Sequence, residues 1–128
     1  MVDDEFEKLF TRIPATPRRR RRGRPEAVLQ KQIVAWLIGH GVLVAVTDAG
    51  MLSKMGLGMS CGIPKGWPDI TGCTQDGRFV GVEVKSPTGR QSPDQRVVQE
   101  QIEARNGLYI LAYCLADVEQ ALYHKAGG

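Results

Sequence analysis

A glutamate and a lysine stand two residues apart in an otherwise apolar strand pattern, Phe79-Val80-Gly81-Val82-Glu83-Val84-Lys85. Side chains along a strand alternate between faces, so Phe79, Gly81, Glu83 and Lys85 share one face and Val80, Val82 and Val84 the other. Unpaired charge in an interior is costly, so this pair argues for chemistry over packing. Hydrolysis at phosphorus has a use for both. A divalent cation takes carboxylate oxygens, and a nearby ammonium orients or activates water, or offsets charge building on the phosphate. A second carboxylate, Asp69, precedes the strand before this one, at the end of Gly66-Trp67-Pro68-Asp69.

The turn between the two strands decides whether Asp69 can meet Glu83, because directly opposed residues of an antiparallel pair lie on the same face. A three-residue loop, Gln75-Asp76-Gly77, pairs Thr74 with Arg78 and sets Asp69 opposite Glu83. It requires a type I turn followed by a left-handed residue, and Gly77 sits at that place. A two-residue loop, Asp76-Gly77, sets Asp69 opposite Val84 and turns its side chain to the other face. The sequence permits both, and only the first, or a bulge having the same effect, builds a two-carboxylate site.

Pro68-Asp69 followed by Glu83-Val84-Lys85 resembles the motif of the PD-(D/E)XK nuclease superfamily. Glu26 in an opening helix, the Gly66-Trp67-Pro68-Asp69 approach and Ser92-x-x-Gln95 after the lysine resemble its VRR-NUC branch, the virus-type replication and repair nucleases, in a small stand-alone phage-like form. The resemblance runs from about Pro25 to about Leu122. It implies a Mg²⁺- or Mn²⁺-dependent endonuclease that hydrolyses DNA phosphodiester bonds and is selective for structure, Holliday-junction resolvases among its kind. Asp69, Glu83 and the Val84 backbone carbonyl would ligate metal, with Glu26 assisting. Lys85 would position or activate water, or stabilise charge on the phosphate, and Gln95 would lie beside the scissile phosphate. Cutting two strands needs two active sites, so a homodimer is expected.

The elements that must position these residues follow from periodicity. Pro25 fits the first position of a helix ending near Gly39, with Leu29, Ile33, Trp36 and Leu37 as its apolar stripe. Val42 to Thr47 is a β-branched strand. Ser92-Pro93-Asp94-Gln95 is a capping box, with serine at N-cap, proline at N1 and glutamine at N3. That alone accounts for Gln95, so its capping and catalytic roles both stand open. The following helix runs to the stop signal Asn106-Gly107. A buried-type strand, Leu108 to Tyr113, and a closing helix, Ala116 to His124, complete the chain. This order predicts an α/β fold, a three-strand antiparallel meander with a fourth strand returning parallel to the third through a helical crossover. It agrees with the restriction-endonuclease-like αβββαβ core, a mixed four-stranded sheet plus a C-terminal helix, that the resemblance implies.

Charge divides the chain into an arm, residues 1–24, and a folded domain, 25–128. The arm carries eight basic groups against four acidic ones, whereas the rest carries nine against ten. Five consecutive arginines with Pro14 and Pro17 predict disorder. The functional reading of the arm is sequence-blind phosphate binding, and the alternatives are a solvated tail or an address or partner tag. Arg18, Arg19, Arg20, Arg21, Arg22 and Arg24 are candidate nucleic-acid contacts, with Lys54, Lys65 and Arg90 in the loops. Residues 48–67, with five glycines and Met51, Met55 and Met59, show no stable period, and a connection of that length is usually functional or mobile. Cys61, Cys73 and Cys114 lack a paired knuckle for zinc, and free thiols suit a cytoplasmic protein, in a bacterial or phage-infected cell as the phage-like resemblance implies. No apolar run approaches a membrane span. Two other classes remain beside the nuclease. One is a catalytically inactive nucleic-acid-binding module, and the other a small interaction protein using the arm as a tag.

Overall fold

A computed structural model describes residues 25–48 and 63–127. The arginine arm, Lys54 and Cys61 lie outside the described residues, as does most of the glycine- and methionine-rich segment. The chain runs α1 (Pro25–Gly39), β1 (Leu43–Val46), β2 (Ile70–Cys73), β3 (Phe79–Val84), α2 (Pro93–Ala104), β4 (Leu108–Ala112) and α3 (Leu115–Gly127). The strands form one sheet in the order β1-β2-β3-β4. β1–β2 and β2–β3 are antiparallel, and β3–β4 is parallel through α2. The protein is thus α/β with a mixed four-stranded sheet and a C-terminal helix, in the element order that the sequence predicts. Among the described residues no helix is long and apolar enough to cross a membrane.

Alternation along the strands makes two unlike faces. Val44, Ile70, Val80, Val82, Val84, Ile110 and Ala112 pack against Ile33 and Leu37 of α1 and Val118 of α3. Burying each of the larger side chains is worth roughly 1.5–3 kcal/mol, so this face holds most of the stabilising apolar area. The other face is covered by α2 near its middle, where Pro68 and Ile102 crowd over Gly81. Following the register across the sheet, Thr47, Asp69, Glu83 and Leu111 form one row on that second face.

The turn takes the three-residue form. Ile70 faces Val82 and Cys73 faces Phe79, which puts Asp69 opposite Glu83. Gly77 N–H donates to Thr74 O (2.9 Å), closing a type I turn, and Thr74 N–H donates to Arg78 O (2.9 Å). Gly77 sits at φ +90°, where a β-carbon is disfavoured. The segment before β2 is tied to the end of β1 at the same place. Thr47 N–H donates to Asp69 O (2.7 Å), and Thr47 Oγ1 donates to Pro68 O (2.8 Å).

Both ends of α2 are capped. Ser92 Oγ accepts from Gln95 N–H (3.1 Å) while Gln95 Oε1 accepts from Ser92 N–H (2.8 Å), completing the capping box. At the far end Asn106 N–H donates to Glu103 O and Gly107 N–H to Ile102 O, a Schellman closure. The left-handed residue there is Asn106, at φ +66°. Gly107 serves instead by leaving room for the Ile102 side chain, since a β-carbon would come within 2.7 Å of Ile102 Cγ2.

Candidate active site

The two carboxylates are built onto the second face from opposite strands. Asp69 Oδ2 accepts the Val84 N–H at 2.9 Å, just beyond the end of the β2–β3 ladder. In an antiparallel pair a residue's N–H and C=O point toward the same neighbour. The Val84 carbonyl therefore leaves β3 on the side of Asp69. Glu83 is buried, at 3% exposure, and its two oxygens have different surroundings. Oε2 accepts Gln95 Nε2–H at 2.9 Å and lies 3.8 Å from Lys85 Nζ. Oε1 is buried and accepts from no N–H or O–H donor, and the protonated pair joins Glu83 to Asp69 by a side-chain hydrogen bond.

Burial and mutual repulsion set the protonation of the pair. Desolvation, then the Asp69 charge, pushes Glu83 up to about 9, while the Lys85 ammonium opposes the rise. Asp69 is pushed up to about 6, again chiefly by desolvation, and the Val84 N–H restrains it. The pair therefore holds a proton at neutral pH. Two adjoining carboxyls, one with a buried oxygen that no donor serves, are suited to a hard divalent cation, which takes oxygen ligands and compensates both charges.

Gln95 occupies both roles that the sequence leaves open. One amide end caps α2 and the other holds Glu83, so the start of the helix and the acid form one hydrogen-bonded unit. Glu26 departs from the expected arrangement. Its Oε2 accepts the Ser86 N–H at 3.0 Å, anchoring the loop that follows β3. Among the described residues no three His, Cys, Asp or Glu side chains gather closely enough to hold a metal, so Glu26 does not join Asp69 and Glu83. The loop after β3 exposes a backbone donor beside the first turn of α1, and that donor takes the carboxylate. Lys65 pairs with Asp94 at 3.5 Å on the outside of α2, and Arg90 is exposed in the loop before it. Arg18, Arg19, Arg20, Arg21, Arg22, Arg24 and Lys54 lie outside the described residues.

Several contributors carry no local sequence signal. Asp48 follows the β1 end of the site row, and its charge raises both Asp69 and Glu83. Tyr109 is buried beside the site with its hydroxyl accepting from Gln91 Nε2 (3.2 Å), and burial pushes its phenol up to about 12. Gln91 also donates to Gln99 Oε1 (2.8 Å), bracing the loop before the capping box.

Gly66 sets the distance between the Pro68-Asp69 segment and α2. It has φ +87°, and a β-carbon there would lie 2.6 Å from the backbone C and O of Asp94, the residue before Gln95. Backbone at that distance has to move, and overpacking of this kind costs roughly 1–3 kcal/mol. Gly66→Ala should lower the thermal midpoint by roughly 4–8 °C per kcal/mol lost. The strain falls at the end of α2 that carries Gln95, so the neighbouring Trp67 should report it. Thermal unfolding and Trp67 emission check this, and an unchanged midpoint counts against the close approach.

No protein-family model, curated protein or solved structure matches this chain. Chemically, the arrangement combines two adjoining carboxyls, a backbone carbonyl on the same side, one ammonium and one amide donor. Such a set is of the chemical type that can bind a hard cation and stabilise negative charge on an oxyanion.

Proposed function

We propose that this chain is a divalent-metal-dependent endonuclease, selective for DNA structure in the manner of a junction resolvase. The observation that supports the reading is Asp69 opposed to Glu83, with Glu83 Oε1 buried and served by no donor. Asp69, Glu83 and the Val84 carbonyl would hold Mg²⁺ or Mn²⁺, and binding would release the proton that the pair retains. When bound, such an ion polarises a phosphoryl oxygen and lowers the pKa of a coordinated water. Lys85 supplies fixed positive charge beside that phosphate. Gln95 holds Glu83 Oε2, so Oε1, which no donor serves, would be available to ligate the ion. The burial of Glu83 strengthens these interactions. One site per chain and two strands to cut favour a homodimer.

Incubation with linear, flapped, forked and four-way DNA, in Mg²⁺, Mn²⁺ or EDTA, tests the proposal. Cleavage of branched substrates that EDTA abolishes is the expected result. Binding without cleavage in either metal would instead assign an inert nucleic-acid-binding module.

The arginine arm should contribute affinity without chemistry. Removing residues 1–24 is expected to weaken DNA binding and flatten its salt dependence, by about 0.9 in log–log slope for each duplex phosphate that the arm no longer neutralises. The cleavage rate at saturating DNA should persist. Binding titrations over a salt series measure the slope, and an unchanged slope places the arginines elsewhere.

A further inference from the structure

The chain leaves the carboxyl ends of β3 and β4 toward opposite faces. After β3 it passes to α2, which covers Gly81, and after β4 it passes to α3, whose Val118 packs on the Val80–Val82–Val84 face. A crevice must open between two parallel strands whose connections diverge in this way, and open α/β sheets take their ligands there. An open surface cleft of about 390 Å³ lies at this point. That volume falls within the range of small-ligand sites.

Its walls are mostly apolar. Val28 and Leu29 line it from α1, and Tyr113 and Leu115 from the turn after β4, with Gln32 and Lys85 as polar members. Val28 and Tyr113 are 58% and 41% exposed, so an aliphatic wall and an aromatic ring face solvent together. The rim is held in place. Asp117 Oδ2 accepts the N–H groups of Tyr113 (2.8 Å) and Cys114 (3.3 Å), and the Tyr113 hydroxyl donates to Gly89 O at 3.4 Å. Lys85 belongs to both places, lining the cleft while its Nζ lies 3.8 Å from Glu83 Oε2.

We infer that this crevice is a subsite for one unpaired nucleoside of the substrate strand, adjoining the phosphate that Lys85 attends. The inference rests on the nuclease reading above and names what the enzyme would select. An apolar peptide side chain also suits the walls, but it brings no anion for Lys85. A nucleoside arrives with its phosphate attached. Stacking on Tyr113 accepts any base, because every base has a π face, and the Gln32 amide meets polar atoms on a base edge. A base held in a duplex is already stacked and paired, so the crevice favours DNA with an unpaired nucleotide next to the cut.

The test uses the full chain in EDTA, so that binding is read without cutting. Affinities for a forked DNA and for a fully paired duplex are compared, with 2-aminopurine placed at successive unpaired positions beside the branch. Tyr113→Ala is expected to lower the fork-over-duplex preference about tenfold, the usual scale of one lost base–aromatic stack. Tyr113→Phe should retain it. Val28→Asp, on the exposed surface of α1, should reduce it without relying on the tyrosine. One 2-aminopurine position should change emission with the wild-type chain and not with Tyr113→Ala. The proposal is overturned if the preference is the same in Tyr113→Ala and Val28→Asp as in the wild type, or if no base position reports. A silent base probe, with Val28→Asp changing the mass of the protein in solution, assigns the crevice to a second copy and also overturns it. Cleavage in Mg²⁺ or Mn²⁺ is scored separately. A chain that passes the binding test but cuts nothing refutes the nuclease reading alone. One that cuts but shows no preference change refutes the subsite alone.

Discussion

Glu83→Gln is expected to remove metal-dependent cleavage and, at the same time, to stabilise the metal-free protein. The loss of cleavage follows from removing a ligand charge at the place where the cation would compensate the pair. Several kcal/mol of transition-state charge stabilisation is at stake, on the order of 10³-fold or more in rate. The gain in stability follows from burial. A carboxyl whose pKa is higher in the folded than in the unfolded chain favours folding fully below its unfolded value, and that contribution is lost as pH rises through the folded value. For Glu83 the window runs from its ordinary 4.5 to about 9, and for Asp69 from 3.8 to about 6. The wild-type protein in EDTA should therefore lose thermal stability steadily from mildly acidic to alkaline pH. Glutamine carries no charge, can still accept from Gln95, and can donate its own amide to Asp69. The mutant should thus unfold at a higher temperature than wild type, by a margin that widens with pH. Melting curves in EDTA across that range provide the check. A pH-independent difference would mean that Glu83 is not held in the protonated, buried state described. Asp69→Asn should abolish cleavage likewise, with its stability effect confined to the lower window.

Lys85→Ala carries the second large effect. Loss of one preorganised donor or cation at a developing oxyanion commonly costs 10²–10³-fold in rate, and a loss on that order is expected here. A second consequence separates this role from a structural one. The Lys85 ammonium holds Glu83 below the value that burial and Asp69 would otherwise give it. Without it the pair releases its proton less readily, so the rise of cleavage with pH should move toward alkaline conditions at fixed Mg²⁺. Arginine should restore part of the rate by restoring the charge, but its planar fork does not reproduce a compact ammonium. A slower mutant with an unmoved pH profile would leave Lys85 as a packing residue.

Much of this arrangement was legible in the sequence where a local rule determines it. The capping box at Ser92 and Gln95, Pro25 at the head of α1 and the alternation along β3 each follow from a few neighbouring residues, and each is present. The turn was legible only as two alternatives. Asp76-Gly77 suits a two-residue loop and Gln75-Asp76-Gly77 a three-residue one, and the choice is made by long-range pairing that keeps Ile70 opposite Val82 in the core. The second task of Gln95 was hidden because the first already explained it. The bond from the Ser86 N–H to Glu26 was hidden because the two residues lie sixty apart in the chain. Asp48, Gln91 and Tyr109 reach the site only through sheet neighbours and loop contacts, which no short spacing encodes.

The bonds from Thr47 to Pro68 and Asp69 bear on how the chain can vary. They bring together the two ends of everything between β1 and β2, so the intervening stretch begins and ends at one fixed gate. Closing a loop of twice the length costs only about 0.6 kcal/mol more. Between Asp48 and Gly66, which themselves act on the site, the chain can therefore be lengthened or shortened without dragging Asp69 from its place opposite Glu83. Insertions there are thus expected to leave the Asp69–Glu83 pair unchanged, so whatever such a segment adds is separable from the two carboxyls.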